Sequence, residues 1–292
     1  MKPQLLSAWA GHWTGDGTGV TVILPPPGTV GSGEVRGGAP ATREFALLDP
    51  IRMVDRVDAV VLSGGSAFGL SAADGVMDLL RSRGLGFPTP LGPVPIVVGM
   101  SMFDASVAGT PPGAAAGRDA ALAAFRGDKF LVGTVGAGAG ATSGKWRGGV
   151  APGGLGVAHG RSGDASIAVV AVVNAWGDVI GADGRPMFVT DRGSGPGVVT
   201  DRGSGPVSDP FGMTNTTIAV VLTDAALNKT QCQLVAQSGH TGFARALYPA
   251  HSRFDGDAVV ALATGPVETD LDLLRVVAAD VTAEAIRAAV DR

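Results

Sequence analysis

Asn215-Thr216-Thr217 stands where a polar, Gly/Ser/Pro-rich stretch gives way to the apolar run IAVVLTD, a junction suited to a chain that cuts itself. A strand starting at Thr216 would hold its hydroxyl fixed, while the looser chain before it lets the Asn215–Thr216 peptide bond distort and then leave. The hydroxyl attacks the Asn215 carbonyl, and water hydrolyses the resulting ester. The α-amine released on Thr216 has an unperturbed pKa of about 8, so near neutrality it can serve as general base for its own hydroxyl. Taken by itself, the tripeptide is more often an ordinary polar entry to a strand. Phe254-Asp255-Gly256-Asp257 sets two carboxylates two residues apart, and on its own reads as an acidic turn.

The elements that must position these groups follow from the apolar pattern. Strand-like runs recur at Val20–Leu24, Ala59–Ser63, Val94–Val98, Leu131–Val135, Ser166–Asn174, Thr217–Thr223 and Ala258–Thr264. Several are continuously apolar rather than alternating, which implies cover on both faces. Helical patterns fill Ser66–Arg83, Ala114–Phe125, Asp224–Gln237 and Asp270–Val290. Thr223 or Asp224 is the expected cap of the third, and Thr269 or Asp270 of the last. Mixed sheets covered by helices make a layered α/β sandwich. VTDRGSGP occurs at Val189–Pro196 and again at Val199–Pro206, so residues 189–214 read as a mobile loop carrying a local duplication.

Composition excludes several classes. The 292 residues are 45% hydrophobic and 16% charged, enough for a large core. No apolar run approaches the ~20 residues needed to span a bilayer, and the first residues lack the apolar block of a signal peptide. A cytoplasmic protein with no membrane partner is expected. A net charge of −4 without a basic cluster argues against nucleic acid. The single cysteine, Cys232, sits in a helical pattern and reads as a packing residue. His12, His159, His240 and His251 show no ligand spacing, so no metal and no cofactor are expected.

The 46 glycines include a dense run in GTVGAGAGATSGKW, Gly133–Trp146, which resembles a phosphate loop. It fails at Ala139, where a glycine is required, and at Trp146, where a Ser or Thr would hold magnesium. The spacing of its glycines is also irregular for a dinucleotide fingerprint. Backbone passing close to substrate or to a neighbouring strand is the preferred explanation.

Six segments resemble the DmpA-type family of L-aminopeptidase/D-esterases and β-aminopeptidases, in particular the branch holding the nylon-oligomer (6-aminohexanoate-oligomer) hydrolases. They are VRGGAPATREFALLDP (Val35–Pro50), VVLSGGSAFGLSAADGVM (Val60–Met77), GKWRGG (Gly144–Gly149), VVNAWGDV (Val172–Val179), NTTIAVVLTDAAL (Asn215–Leu227) and FDGDAVVALATG (Phe254–Gly265). The resemblance implies an αββα sandwich and self-cleavage between Asn215 and Thr216, with Thr216 as nucleophile. It implies that Asp255 and Asp257 support that nucleophile; alternating strand positions would let both point at it. It makes Lys145 and Asn174 site residues, Asn174 through an amide directed at a developing oxyanion and Lys145 through its charge. Where the family has an oxyanion-hole tyrosine, this chain has Phe103, which has no hydroxyl, so that substrate-binding donor is missing or replaced. Tyr248, the only tyrosine, lies far off in sequence.

The reading is therefore a self-processing amidohydrolase, cut into residues 1–215 and 216–292 that stay associated. It would act on short peptides, β-peptides or ω-amino-acid oligomers and assemble as a homo-oligomer, a tetramer by resemblance. Two rivals stand beside it. One is a catalytically weakened binding or assembly protein of the same fold, and the other is an ornithine-acetyltransferase-like acyl transferase.

Overall fold

Side chains on a strand alternate between faces, so a run that is apolar at every position must be covered twice. The structure, a computed structural model, describes residues 3–147, 149–188 and 215–291 and meets that demand with four layers. In chain order the strands of the two large sheets are β1 Trp9–Gly15, β2 Thr18–Leu24, β3 Val30–Val35, β4 Ala41–Arg43, β5 Ala59–Ser63, β6 Val97–Ser101, β7 Gly154–Ser162, β8 Ala165–Asn174, β9 Thr216–Ala225 and β10 Ala258–Val267. The main helices are α1 Ala72–Ser82, α2 Ala114–Arg126, α3 Lys229–Ala246 and α4 Leu271–Ala288. One sheet runs β1-β2-β5-β6-β4, the other β3-β10-β9-β8-β7. Each holds one parallel pair, β5 with β6 and β9 with β10, among antiparallel neighbours.

Three apolar layers follow from the alternation. Ile218, Val220 and Leu222 of β9 join Val60 and Leu62 of β5 between the sheets. Ala219 and Val221, one residue out of phase, pack instead against α3 and α4 with Val259 and Val169. On the far side, Val20, Val22, Ala59 and Val61 meet α1 and α2. At about 1.5–3 kcal/mol for each large aliphatic side chain fully buried, these layers hold the sandwich. The αββα architecture expected from the sequence is the one observed. Among the described residues, no helix is long and apolar enough to cross a membrane.

Several boundaries differ from expectation. Leu131–Val135 is not a strand: Leu131 and Val132 are exposed, and only Gly133 bridges to Leu155. Val94–Val98 is displaced, the strand being Val97–Ser101. The third helix does not begin at Asp224, because β9 continues through Ala225. Asn228 caps it, with a reciprocal pair of bonds to Gln231. The last helix is capped by Asp270, one of the two residues expected there, through the Leu273 amide. β1, β3, β4 and β7 have no counterpart among the expected strands. In β7 the reason is visible: at Gly156 a Cβ would lie 2.1 Å from the Ala285 carbonyl oxygen, so a glycine there lets α4 sit directly on the sheet. Residues 189–214, with their duplicated octapeptide, lie outside the described residues.

Candidate active site

Thr216 opens β9, and its register partner on β8 is Asn174. By alternation both side chains fall in phase with Ile218 and Val172, so both face the space between the sheets at one end of the sandwich. Thr216 and Asn174 are buried. The Thr216 hydroxyl donates to the carbonyl oxygen of Asn215, across the bond expected to break. Asn215 is itself buried, and its carboxamide oxygen and nitrogen have no hydrogen-bond partner among the described residues.

Asn174 is a hub. Its Oδ1 accepts from the Thr142 amide at 3.0 Å and from Lys145 Nζ at 2.8 Å, and its Nδ2 donates to the Phe103 carbonyl oxygen at 2.8 Å. Lys145 reaches that position because the Gly144 and Trp146 amides bond to the Gly177 and Trp176 carbonyls, laying GKW along the turn after β8. Phe103 therefore enters the site through its backbone, two residues beyond the end of β6. Tyr248, remote in sequence, comes close in space: its ring is 5.8 Å from that of Trp146, and Trp176 in turn is 5.6 Å from Phe254.

Asp255 and Asp257 precede β10 rather than lying on it, so strand alternation is not what places them. The loop is fixed by a second backbone segment. The Arg36 and Gly37 amides bond to the Asp257 carbonyl, and the Ala39 amide bonds to that of Asp255. The two carboxylates then take different partners. Asp255 accepts from the Trp176 amide at 3.2 Å and from the Ser252 amide and hydroxyl. Asp257 accepts from the Thr217 amide at 2.8 Å, the His251 amide at 3.1 Å and His251 Nδ1 at 2.8 Å. Between them sits Gly256, where a Cβ would lie 2.7 Å from the Thr216 hydroxyl oxygen. A side chain at this position would therefore collide with the nucleophilic hydroxyl, which accounts for a glycine between the two acids. Burial first, and the charge on Asp257 second, push the Asp255 carboxyl up to about 7.

The structure thus brings Asn215, Thr216, Asn174, Lys145, Asp255, Asp257 and the Phe103 backbone to one end of the sheets. Sequence reasoning missed His251, Ser252, Gly256 and the 36–39 segment. The only signal for the first three was proximity, since all fall within HSRFDGD. The first part of the glycine-rich stretch serves packing rather than the site: its Gly136 and Ala137 amides are taken by the Thr14 and Thr21 hydroxyls, and Gly133 pairs with Leu155. It passes close to neighbouring strands, as the sequence favoured. No group of three or more His, Cys, Asp or Glu able to hold a metal occurs among the described residues. Cys232 is fully buried, and burial pushes its thiol up to about 12, which fits a packing role.

Comparison with known proteins bears on this arrangement. The sequence model of peptidase family S58 matches residues 9–292. An uncharacterized aminopeptidase of Mycobacterium tuberculosis (strain ATCC 25618 / H37Rv) is 45% identical over 275 residues, covering 90% of this chain and 78% of the relative. A 6-aminohexanoate-oligomer endohydrolase of Paenarthrobacter ureafaciens is 30% identical over 274 residues, covering 90% and 74%. Among solved structures, the L-aminopeptidase D-Ala-esterase/amidase of Ochrobactrum anthropi, described as a variant of the Ntn hydrolase fold, superposes with a TM-score of 0.68 at 19% identity, covering 98% of this chain and 84% of that one. A four-layer αββα fold of that type, carrying the segments that first suggested the DmpA-type proteins, leaves one assignment: the chain belongs to peptidase family S58 and is a hydrolase.

Proposed function

We propose that the protein is a self-processing amidohydrolase whose nucleophile is Thr216, released by cleavage of the Asn215–Thr216 bond. The observation that carries this reading is the contact of the Thr216 hydroxyl with the Asn215 carbonyl at a buried strand start. In processing, the hydroxyl oxygen adds to the Asn215 carbonyl carbon, the carbon–nitrogen bond breaks, and the amine takes a proton. Water then hydrolyses the ester. In turnover the free amine accepts the hydroxyl proton, a substrate carbonyl forms the acyl-enzyme, and the leaving amine departs protonated. Lys145, tethered to Asn174 at 2.8 Å, supplies positive charge beside the reacting carbonyl. Asn174 commits part of its amide to Phe103, so Lys145 carries more of that stabilisation than the sequence alone suggested.

The fragments would remain together for a topological reason. Residues 216–292 contribute β9 and β10, which lie between β3 and β8 of the larger fragment and pair with both. Separating them requires breaking two antiparallel ladders and two apolar layers. The proposed substrates are short peptides, β-peptides or ω-amino-acid oligomers. The higher identity to proteins named aminopeptidases, 45% against 30% for the oligomer endohydrolase, favours substrates with a free amino end. A homo-oligomer, tetrameric by resemblance, belongs to the same proposal.

Intact-mass spectrometry of the wild type beside T216A tests the reading. Two fragments dividing between residues 215 and 216, against one uncut, inactive chain in the variant, are expected. An uncut wild type with full activity would remove the freed amine from the mechanism.

A further inference from the structure

Behind the acidic pair stands a histidine that the chemistry above does not use. His251 has a backbone φ of 56°, in the left-handed region that costs a non-glycine residue energy. Two bonds to a single oxygen hold it there: its amide and its Nδ1 both reach Oδ2 of Asp257, at 3.1 and 2.8 Å. Nε2 faces the His240 carbonyl oxygen at 3.4 Å, and the ring stacks on Phe243 with centroids 5.7 Å apart. The other oxygen of Asp257 accepts the amide of Thr217, next to the nucleophile. A continuous set of contacts therefore runs from α3 through His251 and Asp257 into the start of β9.

We propose that His251 is a positioning residue for the reaction at Thr216: by fixing Oδ2 of Asp257 it aims Oδ1 at the Thr217 amide, and by pairing with Asp257 it leaves Asp255 as the carboxyl of the pair that holds a proton. This deepens the Thr216 reading and rests on it. Two adjacent buried carboxyls do not both ionise cheaply, so a proton donor on one assigns the shared proton to the other. The upward displacement of Asp255, caused by burial and by the charge on Asp257, agrees with that assignment. Among the described residues, the titratable groups facing the imidazole are Asp257 on its own loop and His240 on α3. Asp255 lies beyond Asp257, and the charge of Arg36, after β3, reaches His240.

The test measures kcat and KM against pH for H251F and H251N, with an aminoacyl p-nitroanilide as probe. H251F keeps a ring against Phe243 but loses the donor. H251N keeps a donor near the Nδ1 position, and asparagine tolerates the left-handed backbone. The expected result for H251F is a kcat lowered about tenfold or more with KM nearly unchanged, as for a small misplacement of reacting groups. Its carboxyl limb should also move to higher pH. H251N should recover most of kcat and bring the limb back toward its wild-type position, because the carboxamide still donates to Oδ2 of Asp257. An H251F enzyme with unchanged kcat and limb would overturn the proposal. So would H251N and H251F losing activity equally with matching losses of thermal stability, which is the outcome of a packing role. T216A, assayed alongside, reports on the nucleophile alone: residual activity there sinks the Thr216 reading, whereas the limb in H251F decides the role of His251.

Discussion

Two buried acidic sites in this molecule have nearly the same exposure and different surroundings. Asp104 is 3% exposed and Asp255 2%. Asp104 is ringed by neutral donors: the Thr18 hydroxyl, the Gly65 amide, and the amide and hydroxyl of Ser106. These tie together the β1–β2 turn, the loop after β5 and the segment after β6, a structural task. Asp255 also has good donors, but its neighbour is a second carboxylate, and burial together with that charge drives its carboxyl up to about 7. Burial of an acid is therefore not the mark of a functional site here. What sets Asp255 apart is burial beside a like charge that hydrogen bonds do not cancel.

Substitutions at the two sites should separate along that line. The largest effect belongs to D257N, which removes the charge and one of the two acceptor oxygens, so the Thr217 amide and His251 can no longer both be served. Processing and turnover are each expected to fall by roughly a hundredfold or more, read by mass spectrometry and initial rates. A D257N chain that matures and turns over normally would erase the distinction between the sites. D104A should act on stability instead, costing about 2–4 kcal/mol by leaving buried donors unpaired, read as a lower midpoint in urea. Activity per folded molecule should be nearly unchanged. If D104A loses activity without losing stability, Asp104 belongs with the reacting groups.

The third prediction concerns pH. A carboxyl whose folded pKa is raised binds its proton more tightly in the native state than in the unfolded chain. Its stabilising contribution is full below the unfolded value near 4 and is lost as pH rises through about 7. D255N should flatten the stability profile across that window and stand above the wild type at pH 8 by about 1–2 kcal/mol, while activity falls. A wild-type profile that climbs between pH 4 and 7 in equilibrium denaturation, and loses that climb in D255N, would reverse the sign assigned to Asp255. The smallest effect is expected of F103Y. It restores a hydroxyl at the half-buried position where the family resemblance implies one, and kcat should rise by no more than about tenfold. A fall would mean that the tyrosine ring is not tolerated where Phe103 sits.

How much was legible varied with the kind of signal. Ala59–Ser63 and Ser166–Asn174 could be read because aliphatic residues fill every position from Ala59 to Leu62 and from Ile167 to Val173, a pattern that implies cover on both faces. Asp270 could be read as a cap because its partner, Leu273, is three residues on. Leu131–Val135 failed because a short apolar run does not reveal whether anything will cover it. Gly154–Ser162 failed in the opposite direction, since glycine reads as a breaker until a helix is seen lying on it. In the site, Thr216 and the FDGD carboxylates were visible as residues, yet the expected geometry of Asp255 and Asp257 was not the observed one. They take their places from a loop pinned by the Arg36, Gly37 and Ala39 amides.

The sequence by itself determined the layered architecture and the residue types at the reacting end, because apolar periodicity and local motifs are properties of neighbours along the chain. Only the tertiary structure decided that Lys145 is bound to Asn174, that Tyr248 stands beside Trp146, and that His251 holds Asp257. The Lys145 and Tyr248 pairings join residues far apart in the chain, and their geometry depends on how two sheets and two pairs of helices pack. The contact of His251 is local, yet it needs a left-handed backbone that no residue pattern announces and that the packed loop sustains.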